Sequence, residues 1–274
     1  MKFINRLVVP AVCVSAVLAA GCSAQSGSGT TEMVSQVTTE ATTQAVTESA
    51  TGAQTESVTT KAAETTEHAE STTQKEESTE KDFYVTDITD ELFEKMKGKS
   101  YSKDCTVPRE DLRYIHVLHK DIDGVTHEGE LVCNKAIAHD VIEIFKELYE
   151  SSYPIEKMVL VDEYDADDEA SMRDNNSSAF NFRFISGTED ISMHGEGLAV
   201  DINPLYNPFV TYNYEIGEWY VEPDTAWDYV DREWDFPYKI EEDDLCVRLF
   251  KQHGFVWGGD WEEEQDYQHF EKHI

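Results

Sequence analysis

Alternating and periodic apolar positions predict several elements between residues 82 and 274. An alternating pattern over 112–119 predicts a strand, and the turn-rich stretch 121–130 leads into a second strand around 130–133, in a hairpin-like arrangement. Apolar residues at helical spacing predict the best-defined helix, over 135–150. The apolar stripe of this helix consists of Ile137, Val141, Ile144, Phe145 and Leu148.

The same patterns predict the remaining elements and the fold class. These elements are a helix over 89–98 with Thr89 as N-cap and Gly98 as its stop, strands over 158–164 and 197–203, a helix over 242–254 and a closing strand over 267–274. Helices and strands mix without regular βαβ alternation, which favours an α+β domain with a largely antiparallel sheet flanked by helices. The Tyr- and acid-rich stretch 211–240 is predicted as either a loop over a cleft or a surface excursion.

Residues 1–21 are typical of an export signal and not of a folded domain. Lys2 and Arg6 precede an apolar run over 7–20 that is too short to span a bilayer comfortably. The sequence LAAGC resembles the end of a bacterial lipoprotein signal, in which Cys22 would be lipidated and would anchor the protein to a membrane without spanning it. The alternative is an ordinary cleaved signal with an incidental cysteine. The expected location is extracytoplasmic.

Composition separates the next segment from the rest of the chain. Residues 22–81 are dominated by Ser, Thr, Glu, Ala and Gln, which predicts a disordered tether because such a segment buries too little apolar surface to fold. Residues 82–274 have the composition of one globular domain, which we expect to be monomeric. The whole chain carries a net charge of −34, and this argues against nucleic-acid binding, since phosphate contacts need clustered Lys and Arg.

Three cysteines lie in the globular part, at positions 105, 133 and 246. They form no C-x-x-C pair, so a zinc site built on thiolates is not indicated. Cys133 and Cys246 lie in apolar patterns and are predicted to be buried. A disulfide between Cys105 and Cys133 stays an open alternative.

The stretch GLAVDIN (197–203) places a carboxylate inside an apolar strand. Its larger apolar residues alternate on one face, and Asp201 lies on the other face beside the small Ala199. A charged carboxylate in such a place is costly unless something compensates it. His194 lies next to Gly195, where the chain can bend, and it can point back to the same place. Neutral imidazole and carboxylate are both good zinc ligands, so the two residues are candidates for one metal site.

The third ligand is expected from the C-terminal segment. A catalytic zinc usually has three protein ligands and one open position, and His269 in the predicted closing strand can supply the third. Asp266 lies three residues before it. A carboxylate there can sit beside the metal without binding it, take a proton from the attacking water and pass it to a leaving amine.

Taken together, these residues form two motifs, S-x-H-x-x-G-x-A-x-D and, much later, D-x-x-H-F. In this order they resemble the zinc D-alanyl-D-alanine carboxypeptidases and L-alanyl-D-glutamate endopeptidases of the peptidase M15 family, which shares its fold with the hedgehog signalling domain. The matching residues are Ser192, His194, Gly197, Ala199, Asp201, Asp266 and His269.

The resemblance covers roughly 105–274. It implies a hedgehog-like fold for the domain over 82–274, a Zn²⁺ cofactor and peptidoglycan stem peptides as substrate, placed at a membrane that faces the cell wall. It implies His194, Asp201 and His269 as ligands and Asp266 as the base. The family also uses an arginine for substrate binding and oxyanion stabilisation. The usual S-G-x-R stretch is missing, so Arg183 is the candidate.

Three other residues are candidates for substrate binding at the same site, and several further motifs and histidines are not assigned to it. Ser192 is a substrate-binding candidate, and Trp257 and Trp261 are predicted either to line the cleft or to pack in the core. Two S-x-x-K sequences, at 78–81 and 100–103, match the nucleophile motif of serine carboxypeptidases but lack its companion motifs, so chance explains them. The remaining histidines fit no motif position and are predicted at the surface: His116, His119, His127, His139, His253 and His273.

The sequence therefore predicts an exported zinc peptidase acting on wall peptides, of the D,D-carboxypeptidase type, with the endopeptidase as the alternative. One rival is a binding module that holds metal and peptide without cutting, since fold does not determine function. Asp266 argues against it, because a pure binding site needs no base. A second rival is a surface-display protein whose active part is the tether, and the tether's lack of any apolar patch argues against that.

Overall fold

The computed structural model of the protein describes residues 81–185, 188–214 and 216–274. The predicted signal over 1–21, the lipidation at Cys22 and all but the last residue of the tether over 22–81 lie outside the described residues and stay predictions. None of the helices in the described part of the chain is long and apolar enough to cross a membrane.

The first sheet contains the predicted hairpin. Its strands β1 (Tyr84–Asp87), β2 (Leu112–Lys120) and β3 (Thr126–Asn134) are antiparallel neighbours in the order β1–β2–β3. The turn between β2 and β3 is held by Asp121, whose carboxylate accepts hydrogen bonds from two backbone N–H groups of the turn. The predicted strands and the turn between them are confirmed.

Five α-helices are found among the described residues. They are α1 (Asp90–Met96), α2 (Ala138–Glu150), α3 (Asp168–Arg173), α4 (Met193–Glu196) and α5 (Leu245–Gln252). The side chain of Thr89 caps α1 by accepting a hydrogen bond from the Leu92 N–H, as predicted. The apolar stripe predicted for α2 is fully buried and packs with β2 and α5 in the main core. This core forms the support for the functional site.

Two further small sheets carry the C-terminal half. The second sheet has the order β4–β9–β7, and the third has the order β6–β5–β8. Their strands are β4 (Ala199–Asp201), β5 (Phe209–Asn213), β6 (Glu218–Glu222), β7 (Val256–Trp257), β8 (Glu264–Asp266) and β9 (His269–Glu271). All pairs of named strands are antiparallel. The α+β class is confirmed, although three three-stranded sheets replace one larger sheet, and the likeness to the hedgehog domain stays a prediction.

The strand predicted over 158–164 is wrong. Residues Val161–Tyr164 form a 3₁₀ turn, and the backbone of Val159 pairs with a side chain instead of a neighbouring strand. The Val159 N–H donates to Oδ1 of Asn176 at 2.8 Å, and the Asn176 amide donates to the Val159 carbonyl at 3.0 Å. A side-chain amide thus satisfies the groups that a strand partner would have bound.

Several smaller predictions are also settled. His119 is buried, which corrects its predicted surface position, because it continues the buried alternation of β2 after Ile115 and Val117. Cys133 and Cys246 are buried as predicted, and all three cysteines in the described residues are free thiols, so the open disulfide alternative is wrong.

Ser100 of the second S-x-x-K sequence is buried, and its hydroxyl donates to the Asp162 carboxylate at 2.8 Å.

Candidate metal centre

His194 is presented by a single turn of helix. α4 begins after Ser192, whose Oγ accepts a hydrogen bond from the Gly195 N–H at 3.0 Å. It ends at Gly197, whose φ of 71° is in the left-handed region that favours glycine. A Cβ at position 197 would lie 2.8 Å from the Asn134 backbone nitrogen. The bend expected around His194 is therefore a capped helical turn, and the chain enters β4 directly from it.

The other two candidate ligands face each other across a strand pair. Asp201 of β4 and His269 of β9 are direct partners in the antiparallel register, so their side chains project from the same face. The ligand atoms of His194, Asp201 and His269 lie within 4.8 Å of one another, and all three residues are buried. Three separate elements thus bring together the three residues that the sequence singled out.

The three candidate ligand residues approach one another closely, with the two oxygens of Asp201 each facing one imidazole. Nε2 of His194 lies 3.1 Å from Nδ1 of His269 and 3.1 Å from Oδ2 of Asp201, and the distance from His269 Nδ1 to Asp201 Oδ1 is also 3.1 Å. Ligand atoms at the corners of a tetrahedral zinc site, with bonds of about 2.0–2.2 Å, are separated by about 3.3–3.6 Å. The three donors therefore fit zinc in number, type and spacing.

Outer contacts orient both imidazoles toward this point. Nδ1 of His194 lies 2.6 Å from the Ala179 carbonyl, which only accepts, so we assign the proton to Nδ1 and the free lone pair to Nε2. Nε2 of His269 lies 3.0 Å from Oε2 of Glu271, which directs Nδ1 inward. A histidine that binds a metal commonly donates its other N–H in this way. Sequence reasoning did not find Glu271, although its place two residues after His269 on one strand signals a shared face.

Electrostatics inside the cluster favour a positive charge. Burial alone would raise the pKa of Asp201, but the neighbouring imidazoles outweigh burial and hold that pKa below its usual range. Burial alone would lower the pKa of His269, but its hydrogen bonds to Asp201 and Glu271 outweigh burial and raise the pKa to about 10. The buried carboxylate of Asp201 and the half-buried carboxylate of Glu271 around two imidazoles therefore favour positive charge at the point where the lone pairs converge.

We expect Glu271→Ala to weaken zinc binding by about 10–100-fold, because the orientation of His269 is lost. Glu271→Gln should recover part of the affinity, since an amide oxygen still accepts from Nε2–H. Competition with a chromogenic chelator measures the affinity. His273→Ala is the matched control, because His273 contacts the other oxygen of Glu271 without touching the cluster. Equal zinc affinity in all four proteins would contradict the orienting role.

Asp266 lies beside the cluster at the end of β8. Its Oδ1 is buried and has no hydrogen-bond partner among the described residues. Burial raises the pKa of Asp266 to about 7, and the negative charge of Asp201 adds to the rise, although the charge of His269 opposes it. A buried carboxyl group with a free oxygen and a pKa near neutrality is suited to accept and release a proton.

Arg183 is held at the edge of the same site. Its Nε forms an ion pair with one oxygen of Asp168, and the side-chain amide of Asn181 donates to the other oxygen at 2.6 Å. No partner of its terminal nitrogens is found among the described residues, and its charge acts on Asp266. The side chain is 45% exposed. The structure therefore brings Arg183 near Asp266, and its role toward substrate stays a prediction.

The predicted substrate-binding residues separate into two groups. The ring of Trp261 lies 5.5 Å from the ring of His269, at the edge of the site. Trp257 is buried in the main core, with its indole N–H donating to the Tyr267 carbonyl at 3.0 Å, so its assignment to substrate binding is not supported. The hydroxyl of Ser192 is engaged as the cap of α4.

The geometry agrees with the comparison to protein families. Residues 186–272 match a family model described as D-alanyl-D-alanine carboxypeptidase, and this segment includes all three candidate ligands and Asp266. The comparisons with curated proteins and with solved structures each gave no match. The match supports a hydrolase with a peptide substrate. Residues 186–272 thus match a model of the peptidase M15 family, which supports the resemblance that the motifs indicate.

Proposed function

We propose that this protein is a zinc peptidase that cleaves peptidoglycan stem peptides as a D-alanyl-D-alanine carboxypeptidase. One observation carries the proposal: three buried donor atoms converge beside a buried carboxyl oxygen that lacks a partner, inside the segment that matches the peptidase family. A module that only binds peptide has no use for the buried, unpartnered carboxyl group, whose burial is costly.

Different residues of the chain bind the metal, transfer the proton and bind the substrate. His194, Asp201 and His269 would hold a zinc ion, which would supply Lewis-acid polarisation of the scissile carbonyl and would lower the pKa of an attacking water. Asp266 takes the proton from this water and delivers it to the leaving amine. The free edge of the Arg183 guanidinium binds the substrate carboxylate or the developing oxyanion, and its fixed charge favours either.

The test uses purified protein loaded with zinc and pentapeptide muropeptides, with products identified by mass spectrometry. Loss of one alanine from the C-terminus supports the carboxypeptidase. Release of L-alanine from the rest of the stem would make the protein an endopeptidase of the same family. Bound zinc with no cleavage of any muropeptide would overturn the proposal in favour of a binding module.

Export and a lipid anchor at Cys22 belong to the same proposal, and the pattern of residues 1–22 supports them. Fractionation of the producing cells, followed by immunodetection, should find the protein with the membranes. Recovery in the cytoplasmic soluble fraction would contradict this part of the proposal.

Gly258 sets the position of Asp266, and its replacement should lower the rate of cleavage. A Cβ at position 258 would lie 2.6 Å from the Asp266 carbonyl oxygen and 2.8 Å from the Asp266 Cβ, so Gly258→Ala must displace the base. A displacement of about 1 Å costs about 100-fold in rate. We expect a loss of that order in kcat with zinc still bound.

Gly98→Ala is the control for Gly258→Ala, since a Cβ there meets nothing within 4 Å although the backbone has a positive φ. The two variants separate displacement of Asp266 from general loss of stability. Normal kcat in Gly258→Ala would show that Asp266 does not depend on this close approach.

A further inference from the structure

The third sheet extends the site outward from Asp266. β5 pairs with β8 on one side and with β6 on the other. In this register Phe209 is the direct partner of both Asp266 and Glu222. Direct partners in an antiparallel pair share a face, so these three side chains form one row. The hairpin predicted only as a loop or surface excursion is therefore attached to the strand that carries the proposed base.

A second row lies next to the first on the same face. Thr211 is the direct partner of Glu264 and of Tyr220. The opposite face of this sheet is occupied, because Val210 and Val221 are buried in a small core. The face that carries Asp266 and Tyr220 is the less buried one.

An aromatic pair covers this face. The rings of Phe209 and Tyr220 are 6.3 Å apart at 70°, and Tyr220 is 49% exposed. The Tyr220 hydroxyl donates to Oε1 of Glu222, which fixes the carboxylate beside the ring. An exposed aromatic face with a carboxylate at its edge favours a cationic group, through cation–π attraction and a charge-assisted hydrogen bond.

The charge around the aromatic pair is acidic and lacks compensation. Within the described ranges, no cation forms an ion pair with Glu222 or Glu264. Glu169 of helix α3 adds a negative charge that raises the pKa of Tyr220. Arg173, the ion-pair partner of Glu169, also binds the carboxylate of Asp224. A positively charged ligand therefore complements this face.

We propose that Tyr220, Glu222 and Glu264 form a subsite for a primary amine on the substrate peptide, one or two residues from the cleaved bond. Glu264 lies two residues before Asp266 on β8, a separation of about 6.6–6.8 Å that alternate residues of an extended peptide share. Glu222 lies two strands across from Asp266, or about 9.4–9.8 Å at the usual strand spacing. The inner end of the face is Asp266, so a peptide that lies along the face would have its cleaved bond beside the proposed base. The inference rests on the proposed function.

Two peptides that differ only in acetylation of that amine test the subsite on the full chain loaded with zinc. We expect about a tenfold higher kcat/KM for the free amine, mostly through KM, since ion pairs and cation–π contacts at half-exposed sites contribute modestly. The double variant Glu222→Gln/Glu264→Gln should lose this preference and cleave the acetylated peptide as the wild type does. Glu150→Gln, on the exposed side of α2, is the matched control and should keep the preference.

Equilibrium binding to zinc-loaded Asp266→Asn separates this subsite from the proposed function. A tenfold preference for the free amine in binding, without cleavage of either peptide by the wild type, would overturn the function and support the subsite. Equal binding and equal cleavage of the two peptides would overturn the subsite alone. Preference retained in the double variant would also overturn it, because the amine would then bind elsewhere.

Discussion

Asp266→Ala will reduce cleavage of the stem peptide by about 100–10,000-fold while zinc stays bound, because a positioned general base contributes about that much. Asp266 is not among the converging donors, so its loss removes a proton acceptor and not a ligand. Single-turnover kinetics and metal analysis on the same preparation measure the two effects. Asp266→Asn keeps the shape and should be equally inactive.

Glu263→Gln is the matched control for Asp266, as an exposed acid in the same segment. It should leave the rate unchanged. A variant at Asp266 that keeps its rate, or that loses zinc along with its rate, would contradict the assignment of the base.

The pH profile of the wild type should report the same group. Asp266 must be ionised to take a proton, and burial raises its pKa to about 7. A cation in the cluster favours the ionised form and lowers that pKa. The acid limb of kcat/KM is therefore expected at or below about pH 7, with the rate falling as pH falls through it. An unchanged acid limb in a residually active Asp266→Ala would assign the limb to another group.

His194→Ala, Asp201→Ala and His269→Ala should each lose stoichiometric zinc and all detectable cleavage. Structural zinc sites with four ligands are worth about 10–16 kcal/mol, or about 3 kcal/mol per ligand, so one deletion lowers affinity more than a hundredfold. Atomic absorption on dialysed protein measures the metal content.

Thermal unfolding with and without zinc gives an independent check. The wild type should gain about 4 kcal/mol in free energy of unfolding when free zinc reaches about 1,000 times its Kd, and the three variants should gain far less at that concentration. His253→Ala is the matched control, since this histidine pairs with Asp140 and lies outside the cluster. A full zinc response in any of the three variants would remove that residue from the ligand set.

Sequence alone determined the residues whose chemistry and order are distinctive. His194, Asp201 and His269 stand out because an isolated carboxylate in an apolar strand needs a partner, and the resemblance of the two motifs to the peptidase family implies which residues supply it. The helix α2 was equally well determined, because its apolar stripe is set by local periodicity and is buried as a unit. The periodicity of apolar residues reveals which face of a helix or strand is buried, and the formation of α2 depends on little else.

The tertiary structure determined which side chains and backbone groups contact one another. The strand predicted over 158–164 failed because the Asn176 side chain, distant in sequence, satisfies the backbone at Val159. Trp257 packs in the core and Trp261 lies at the edge of the site, although both flank the same pair of glycines. The Asp168 partner of Arg183 and the attachment of the β5–β6 hairpin to β8 also depend on contacts between separate segments. Periodicity carries no information about such contacts, because it describes one element and not the neighbour that packs against it.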